Sequence, residues 1–441
     1  MPPTAARLSR TTSPGFIRRK KMKSIIIACA AVLVAACVFV GAALALRDCE
    51  PQDDFELVRP VLAEEAIPDD DNVYVGFVAA TNAVKEWERT GEFSSIKPER
   101  KAALVATNSE AIALFREAAQ REYWLDCSCS ENWRNGLCLF SVSAFTKMIH
   151  LMHWETESMI EKGQLGAATA NVLALAALSK TMQGRAESIV CWLCARQTQG
   201  VALDLARRIA LSPRTTAENL QELQQMAHSL SDTERNRRNL YNLVGREAFY
   251  TFGGARLTLE LGSAGKKRTL ASLYSYQPNR TQRIYNDIAF RARTLLTNDC
   301  CKADWAAFND EVDGLLSSSY MPNLAGRMLL KAVVPAWEGV AKHAATGDFA
   351  GRATEIVVAA ELYRRRNGKR PNSLSALVPE FMPAVPTDPY KPDSALNYDA
   401  LCGIIWTVGE DGNFNGEKEP GKDSYGLNRK YVVNLDGTKA Q

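Results

Sequence analysis

A chain of 441 residues, 46% hydrophobic and 23% charged, has the composition of a folded protein and room for two or three domains. Its net charge of +3 is small, and no run of Lys and Arg is interleaved with stacking aromatics in the body of the chain, so nucleic acid is not an expected partner. The basic excess sits at the N-terminus, where it has a different meaning.

Residues 1–24 form a basic tail that ends in Arg18, Arg19, Lys20, Lys21 and Lys23. Ile25–Leu46 follows as an unbroken apolar run of 22 residues, and about 20 suffice to cross the hydrocarbon core as a helix. Beyond it the charge turns mostly acidic at Asp48, Glu50, Asp53, Asp54 and Glu56. By the positive-inside rule the tail is cytoplasmic and the bulk of the chain extracytoplasmic (periplasmic), with 47–71 as a linker. A retained single-pass signal anchor is the favoured reading. A cleaved signal peptide is a second, since Ala43-Leu44-Ala45 has the small-x-small form of a peptidase site. A lipoprotein is a third, from Val34-Ala35-Ala36-Cys37, although the apolar run continues for nine residues past Cys37. All three export the rest of the chain.

Residues 72–346 read as an α-helical domain. Pro98–Tyr123 carries Leu104, Ala111, Ile112 and Phe115 at helical spacing, with charges largely on other faces. Ala167–Met182 is almost wholly Ala, Leu and Val, which predicts a helix buried all round. Ala186–Leu211 predicts another, closed by Ser212-Pro213, and Thr215-Thr216-Ala217-Glu218 a new helix start. Glu161–Ala168 is similar to the opening of a tetratricopeptide unit, but no second copy recurs at a fixed period, so an irregular array of helical hairpins is expected. Gly262–Arg283, rich in Gly, Lys, Arg and Ser, predicts a loop.

Chemical motifs in this body are sparse. Cys191-Trp192-Leu193-Cys194 is a C-x-x-C that the pattern places mid-helix inside an apolar stretch, so buried thiols or a disulfide partner are expected rather than a redox pair. Cys127, Cys129 and Cys138 cluster in an expected loop, as disulfide partners or, with His150 or His153, as zinc ligands. Nine cysteines follow the apolar run, an odd number that leaves at least one unpaired within the chain. His150 and His153, near Glu155 and Glu157, read as histidines on one amphipathic face. No G-x-S-x-G, P-loop or dinucleotide fingerprint is present.

The composition changes at 347–441. A helix over Asp348–Arg366 bears Phe349, Ala353, Ile356, Val357, Ala360 and Tyr363 as an apolar stripe and stops at Asn367-Gly368. Ser373 is placed to cap a short helix through Val378. Prolines then exclude long helix, and strands are expected at Leu396–Tyr398, Gly403–Val408 and Lys430–Leu435. Ile404, Ile405, Trp406 and Val408 supply a surface to cover the stripe, giving a small α+β module of one helix on a short antiparallel sheet.

This block resembles the C-terminal domain of the type II secretion major pseudopilin. The likeness rests on Leu362-Tyr363, Asn367 to Pro371, Leu374 to Val378, the turn Asp388-Pro389-Tyr390, and Thr407 to Gly412 with Asp423 downstream. The whole arrangement is similar to a family of uncharacterised planctomycete-type membrane-anchored helical proteins with the same ending. Two departures stand out: residues 47–346 separate the apolar run from the module, and Ile25–Leu46 contains no Glu. In the loop, Asp411-x-Asn413-x-Asn415-Gly416 offers oxygen ligands at alternate positions before a Gly turn, as in the first half of a calcium loop. Lys422 stands where a bidentate Glu is needed, so Glu417 or Asp423 would complete the set. The resemblance implies calcium in the same loop by another geometry; a polar turn without metal is the alternative.

The expectation is a mainly α protein serving as a membrane-anchored, extracytoplasmic structural or protein-interaction module of the cell envelope, related to secretion machinery, with calcium as cofactor and an envelope protein as partner. The alternative is an exported enzyme with its site in the helical body, centred on the Cys cluster or a carboxylate pair. A pocket lined by convergent polar groups favours the enzyme; a filled core with a grooved surface favours the interaction module.

Overall fold

Periodic apolar residues build helix after helix, as the pattern predicts. The computed structural model describes residues 32–38, 68–87, 96–124, 142–186, 188–262, 277–298, 304–317, 323–333, 336–410, 412, 414 and 432–435. The chain is mainly helical, at 73%. The helices are α1 (Val73–Asn82), α2 (Pro98–Thr107), α3 (Ser109–Ala118), α4 (Val142–Glu161), α5 (Leu165–Arg185) and α6 (Ile189–Ala210). They continue as α7 (Ala217–Leu230), α8 (Thr233–Gly262), α9 (Pro278–Asn298), α10 (Trp305–Ser317), α11 (Leu324–Val333) and α12 (Ala336–Asn367). Residues 32–38, within the expected membrane run, are helical and exposed; the rest of that run lies outside the described residues.

The helix expected over Pro98–Tyr123 is two helices, broken at Asn108. Its buried side chain accepts from the N–H groups of Lys85 and Glu86 at 2.8 and 3.3 Å and donates to the carbonyls of Glu86 and Leu104, both at 2.8 Å. A side chain that satisfies four backbone groups competes with the helix it stands in. The start at Thr216 is as expected: its hydroxyl accepts from Asn219 N–H at 3.1 Å, with Glu218 in the first turn.

α5 and α6 form a hairpin at the centre of the larger core. α5 is buried along most of its surface, but Ala167, Ala170 and Ala177 stay exposed, so the expected all-round burial is incomplete. Among the described residues it is the one helix long and apolar enough to cross a membrane, and 61% of its apolar window is buried inside the fold. Its polar side chains are tied to neighbours. Asn171 donates to Glu155 at 2.8 Å and accepts from Arg116, which pairs with Glu155 at 2.7 Å, joining α3, α4 and α5. Ser179 donates to Ala195 O, and Gln183 to Gln199, across the hairpin.

α12 starts at Ala336, not at the expected Asp348, so the division at 346/347 falls inside one 32-residue helix. Residues 351–361 of it are buried on every side. One face packs on α6 and α7. The opposite face, with Phe349, Ala353, Ile356, Val357 and Ala360, joins Leu374, Leu377, Ile405, Val433 and Leu435 in a second core. The helix stops as expected: Gly368 has φ 71°, and its N–H donates to Arg364 O.

The sheet over this second core has the order β3 (Asn397–Asp399), β4 (Ile404–Trp406), β5 (Val432–Asn434), all antiparallel. Tyr398, Ile405 and Val433 stand opposite one another, so one face carries all three toward α12. All three expected strand regions are found, the first shifted by one residue and the other two shorter. A two-stranded ribbon, β1 (Thr387–Asp388) with β2 (Lys391–Ala395), was not expected amid the prolines. Asp388 anchors it: the buried carboxylate accepts from Tyr390 N–H, Thr407 Oγ1 and Val408 N–H, fastening the Asp-Pro-Tyr turn to the end of β4.

Gly347 lets α12 meet α6. A Cβ there would lie 2.1 Å from Arg196 Nη2, whereas a Cβ at Gly339 of the same helix meets nothing within 4 Å. Gly347→Ala is therefore expected to destabilise the protein by about 1–3 kcal/mol through overpacking. Gly339→Ala should be neutral or stabilising by up to about 1 kcal/mol. Denaturant unfolding of the two variants beside the parent checks the contrast.

Candidate functional site

The residues singled out by sequence do not converge. Cys191 and Cys194 lie in the first two turns of α6, not in its middle, behind an N-cap in which Ser188 accepts from Cys191 N–H at 3.2 Å. Both thiols are buried and neither is in a disulfide. Burial pushes the Cys194 thiol up to about 11, the reverse of the depression that a redox pair needs. His150 and His153 lie on α4. Burial first, then the charges of His153 and Lys101, pull His150 down to about 4, and its ring stacks on Trp154 at 5.6 Å. Burial likewise lowers His153, which faces Glu157 at 3.7 Å. Cys127, Cys129, Cys138 and the calcium set Asp411, Asn413, Asn415, Glu417 and Asp423 lie outside the described residues. Among the described residues no three His, Cys, Asp or Glu side chains gather as a metal site.

A different group of side chains does converge, in an open cleft of about 520 Å³ where the helical body meets the C-terminal module. Its floor is the junction of α7 and α8. Ser231 folds back to the carbonyls of Ala227 and His228, ending α7. Asp232 Oδ1 accepts from Arg235 N–H at 3.1 Å, starting α8. One wall is α5 with Lys180, another is α12 with Arg352 and Glu355, and the rim opposite is Pro383–Thr387.

Polar contacts fix these groups individually. Lys180 Nζ donates to Ser229 Oγ at 2.9 Å. Arg235 donates to Ser229 O. Arg352, 7% exposed, donates to Thr387 O at 2.6 Å, to Thr387 Oγ1 at 3.1 Å and to Thr233 Oγ1 at 2.6 Å. Glu355 is engaged through both oxygens, by His228 Nδ1 at 2.9 Å and Ser231 Oγ at 3.2 Å. Burial, then the charge of Arg235, holds the Lys180 ammonium below the usual lysine range. Burial holds Arg235 below its ordinary value as well.

His228, Glu355 and Ser231 do not form a nucleophile–base–acid relay. Ser231 Oγ meets the carbonyls of Ala227 and His228 and Glu355 Oε2, while His228 Nδ1 meets Glu355 Oε1, so the carboxylate and not the imidazole stands next to the hydroxyl and the order of such a relay is not met. The sequence left this cleft unmarked because its residues come from four distant segments. The one local signal is Arg352 and Glu355 inside an otherwise Ala, Ile and Val stretch of α12.

No protein-family model matches the chain, and neither the curated proteins nor the solved structures hold a significant match.

Native protein should leave Cys191 and Cys194 unalkylated by iodoacetamide at pH 8, while unfolded protein should label at both. Mass spectrometry of the peptides checks this, and rapid native labelling of Cys194 would contradict the raised thiol pKa.

Proposed function

We propose that the chain is a membrane-anchored, extracytoplasmic interaction module of the cell envelope. The observation that carries this reading is the apolar run Ile25–Leu46 between a basic tail and an acidic segment. The exposed helical residues Val32, Leu33, Val34 and Val38 support it, since an apolar surface of that kind is suited to lipid. The filled cores of the body support a binding role. A second reading, an exported enzyme, draws support from the polar-lined cleft. Of the two centres expected for it, the Cys cluster lies outside the described residues, and the two carboxylates that line the cleft accept hydrogen bonds, Glu355 at His228 and Ser231 and Asp232 from the Arg235 N–H.

The C-terminal module is proposed as pseudopilin-like. The helix stop at Gly368 and the Asp388 clamp fall on the motifs that carry the resemblance, and a short antiparallel sheet lies between and after them. The calcium loop is part of the same proposal. Gly409 and Gly412 turn the chain with φ 73° and 70°, and Phe414 N–H returns to Val408 O at 2.9 Å, so the approach to Asp411–Asp423 is tightly curled. Lys342 pairs with Glu410 at 3.2 Å and ties that approach to α12.

A reporter fused after Gln441 should be active only outside the cytoplasm, and acidic replacements of Arg18 to Lys21 and Lys23 should weaken that orientation. Activity of a cytoplasm-only reporter would sink the topology. For calcium, the full chain in detergent should melt at a higher temperature with millimolar calcium than with chelator, and Asp411→Ala should abolish the difference. Equal midpoints for the parent protein reject the metal.

A further inference from the structure

Charge pairing among the described residues is uneven. Arg116 pairs with Glu155, Arg196 with Asp348, and Glu361 with both Arg364 and Arg365. Lys180, Arg235 and Arg352 line one cleft, and no carboxylate among the described residues lies within ion-pair distance of any of them; their partners are hydroxyls and carbonyls. The two carboxylates of the lining are committed elsewhere, Glu355 to His228 and Ser231, Asp232 to the start of α8. Arg352 is buried, and a buried guanidinium without a counter-ion is costly.

We propose that this cleft binds a phosphate group, with Lys180, Arg235 and Arg352 supplying the counter-charge and Ser229 and Thr233 the nearby hydroxyls. Three cations around one space suit a dianion with three terminal oxygens better than a carboxylate with two. The start of α8, a 30-residue helix, opens on the same space, with its end already capped by Asp232, so the three cations carry the recognition. The volume of about 520 Å³ exceeds what phosphate alone fills, and Pro383–Pro386 provide an apolar wall for an organic remainder. Free phosphate and a small phosphate monoester share the chemistry that the cations recognise. The site uses residues of the body and module only, so it stands independently of the membrane reading.

Two variants test the proposal, Lys180→Gln and the double variant Lys180→Gln with Arg235→Gln. Lys180 is exposed, so its replacement leaves the fold intact, which the melt without added anion verifies. The full chain in detergent is titrated with inorganic phosphate and with phenyl phosphate, against chloride at matched ionic strength, by calorimetry and melting. Saturable binding with a raised midpoint is expected for the parent protein, weakened about tenfold or more in Lys180→Gln. Tighter binding of phenyl phosphate assigns a monoester; equal binding assigns free phosphate. No stabilisation beyond that of chloride, or the same stabilisation in the parent and both variants, overturns the site.

Discussion

Helix α12 is the member on which the rest of the structure depends, and Arg196 is what fixes it. A guanidinium only 7% exposed must find acceptors inside the protein. Arg196 finds Gln183 and Gln199 within the α5–α6 hairpin and the carbonyls of His343 and Ala344 with Asp348 on α12, while its plane lies over Trp192 at 5.5 Å. Asp348 also accepts from Asn236 of α8 at 2.9 Å, so one carboxylate joins three helices. This registry holds only if α12 comes close at residue 347, where glycine alone leaves room. Apolar packing would tolerate small shifts of α12 along α6; the fork of Arg196 does not.

Because α12 is buried on both sides, the two cores are not separable in the way that the change of composition near residue 347 suggests. Val358 of α12 belongs to the larger core, while Ile356 and Val357 beside it belong to the smaller. A chain cut at 347 would expose the face that α6 and α7 cover, with Thr354 left without Arg207 and Glu361 deprived of the neighbouring turn that Arg365 grips at Ser212. The short sheet depends on the helix, and the helix depends on the body. Stability in the C-terminal module therefore derives in large part from the helical domain.

Helix existence was largely legible in the sequence, because 3.6-residue periodicity or a long apolar run marks most core helices and the caps at Thr216 and Gly368 use the residue types that such positions demand, although the helix from Pro278 begins inside the loop expected over Gly262–Arg283. The break at Asn108 was not, since a buried asparagine serving four backbone groups looks the same in sequence as an exposed one in a continuous helix. The strands at Ile404–Trp406 and Val432–Asn434 were visible as apolar runs, while the ribbon at Thr387–Ala395 was hidden by prolines that sit where no ladder bond is needed. The position of Cys191 was misread for a related reason: the helix starts at Ile189 because Ser188 caps it, and the apolar pattern alone does not mark that cap.

The cleft was illegible for a deeper reason. Its members lie at 180, 228–235, 352–355 and 383–387, and the docking of α12 brings them together. Local sequence shows Lys180 and Arg235 as ordinary solvated charges on helices, and only Arg352 stands out, in an apolar stretch. The fold makes them unusual by gathering all three at one cleft whose two carboxylates already accept hydrogen bonds and make no ion pair with them. A buried or half-buried cation left to folding alone is better off with an acidic neighbour, and this protein supplies one for Arg116 and for Arg196. At the junction it supplies hydroxyls and carbonyls instead, which orient a guanidinium without neutralising it. Oriented charge without a direct ion-pair partner at an open cleft adds little to stability and is what recognition of an anion requires.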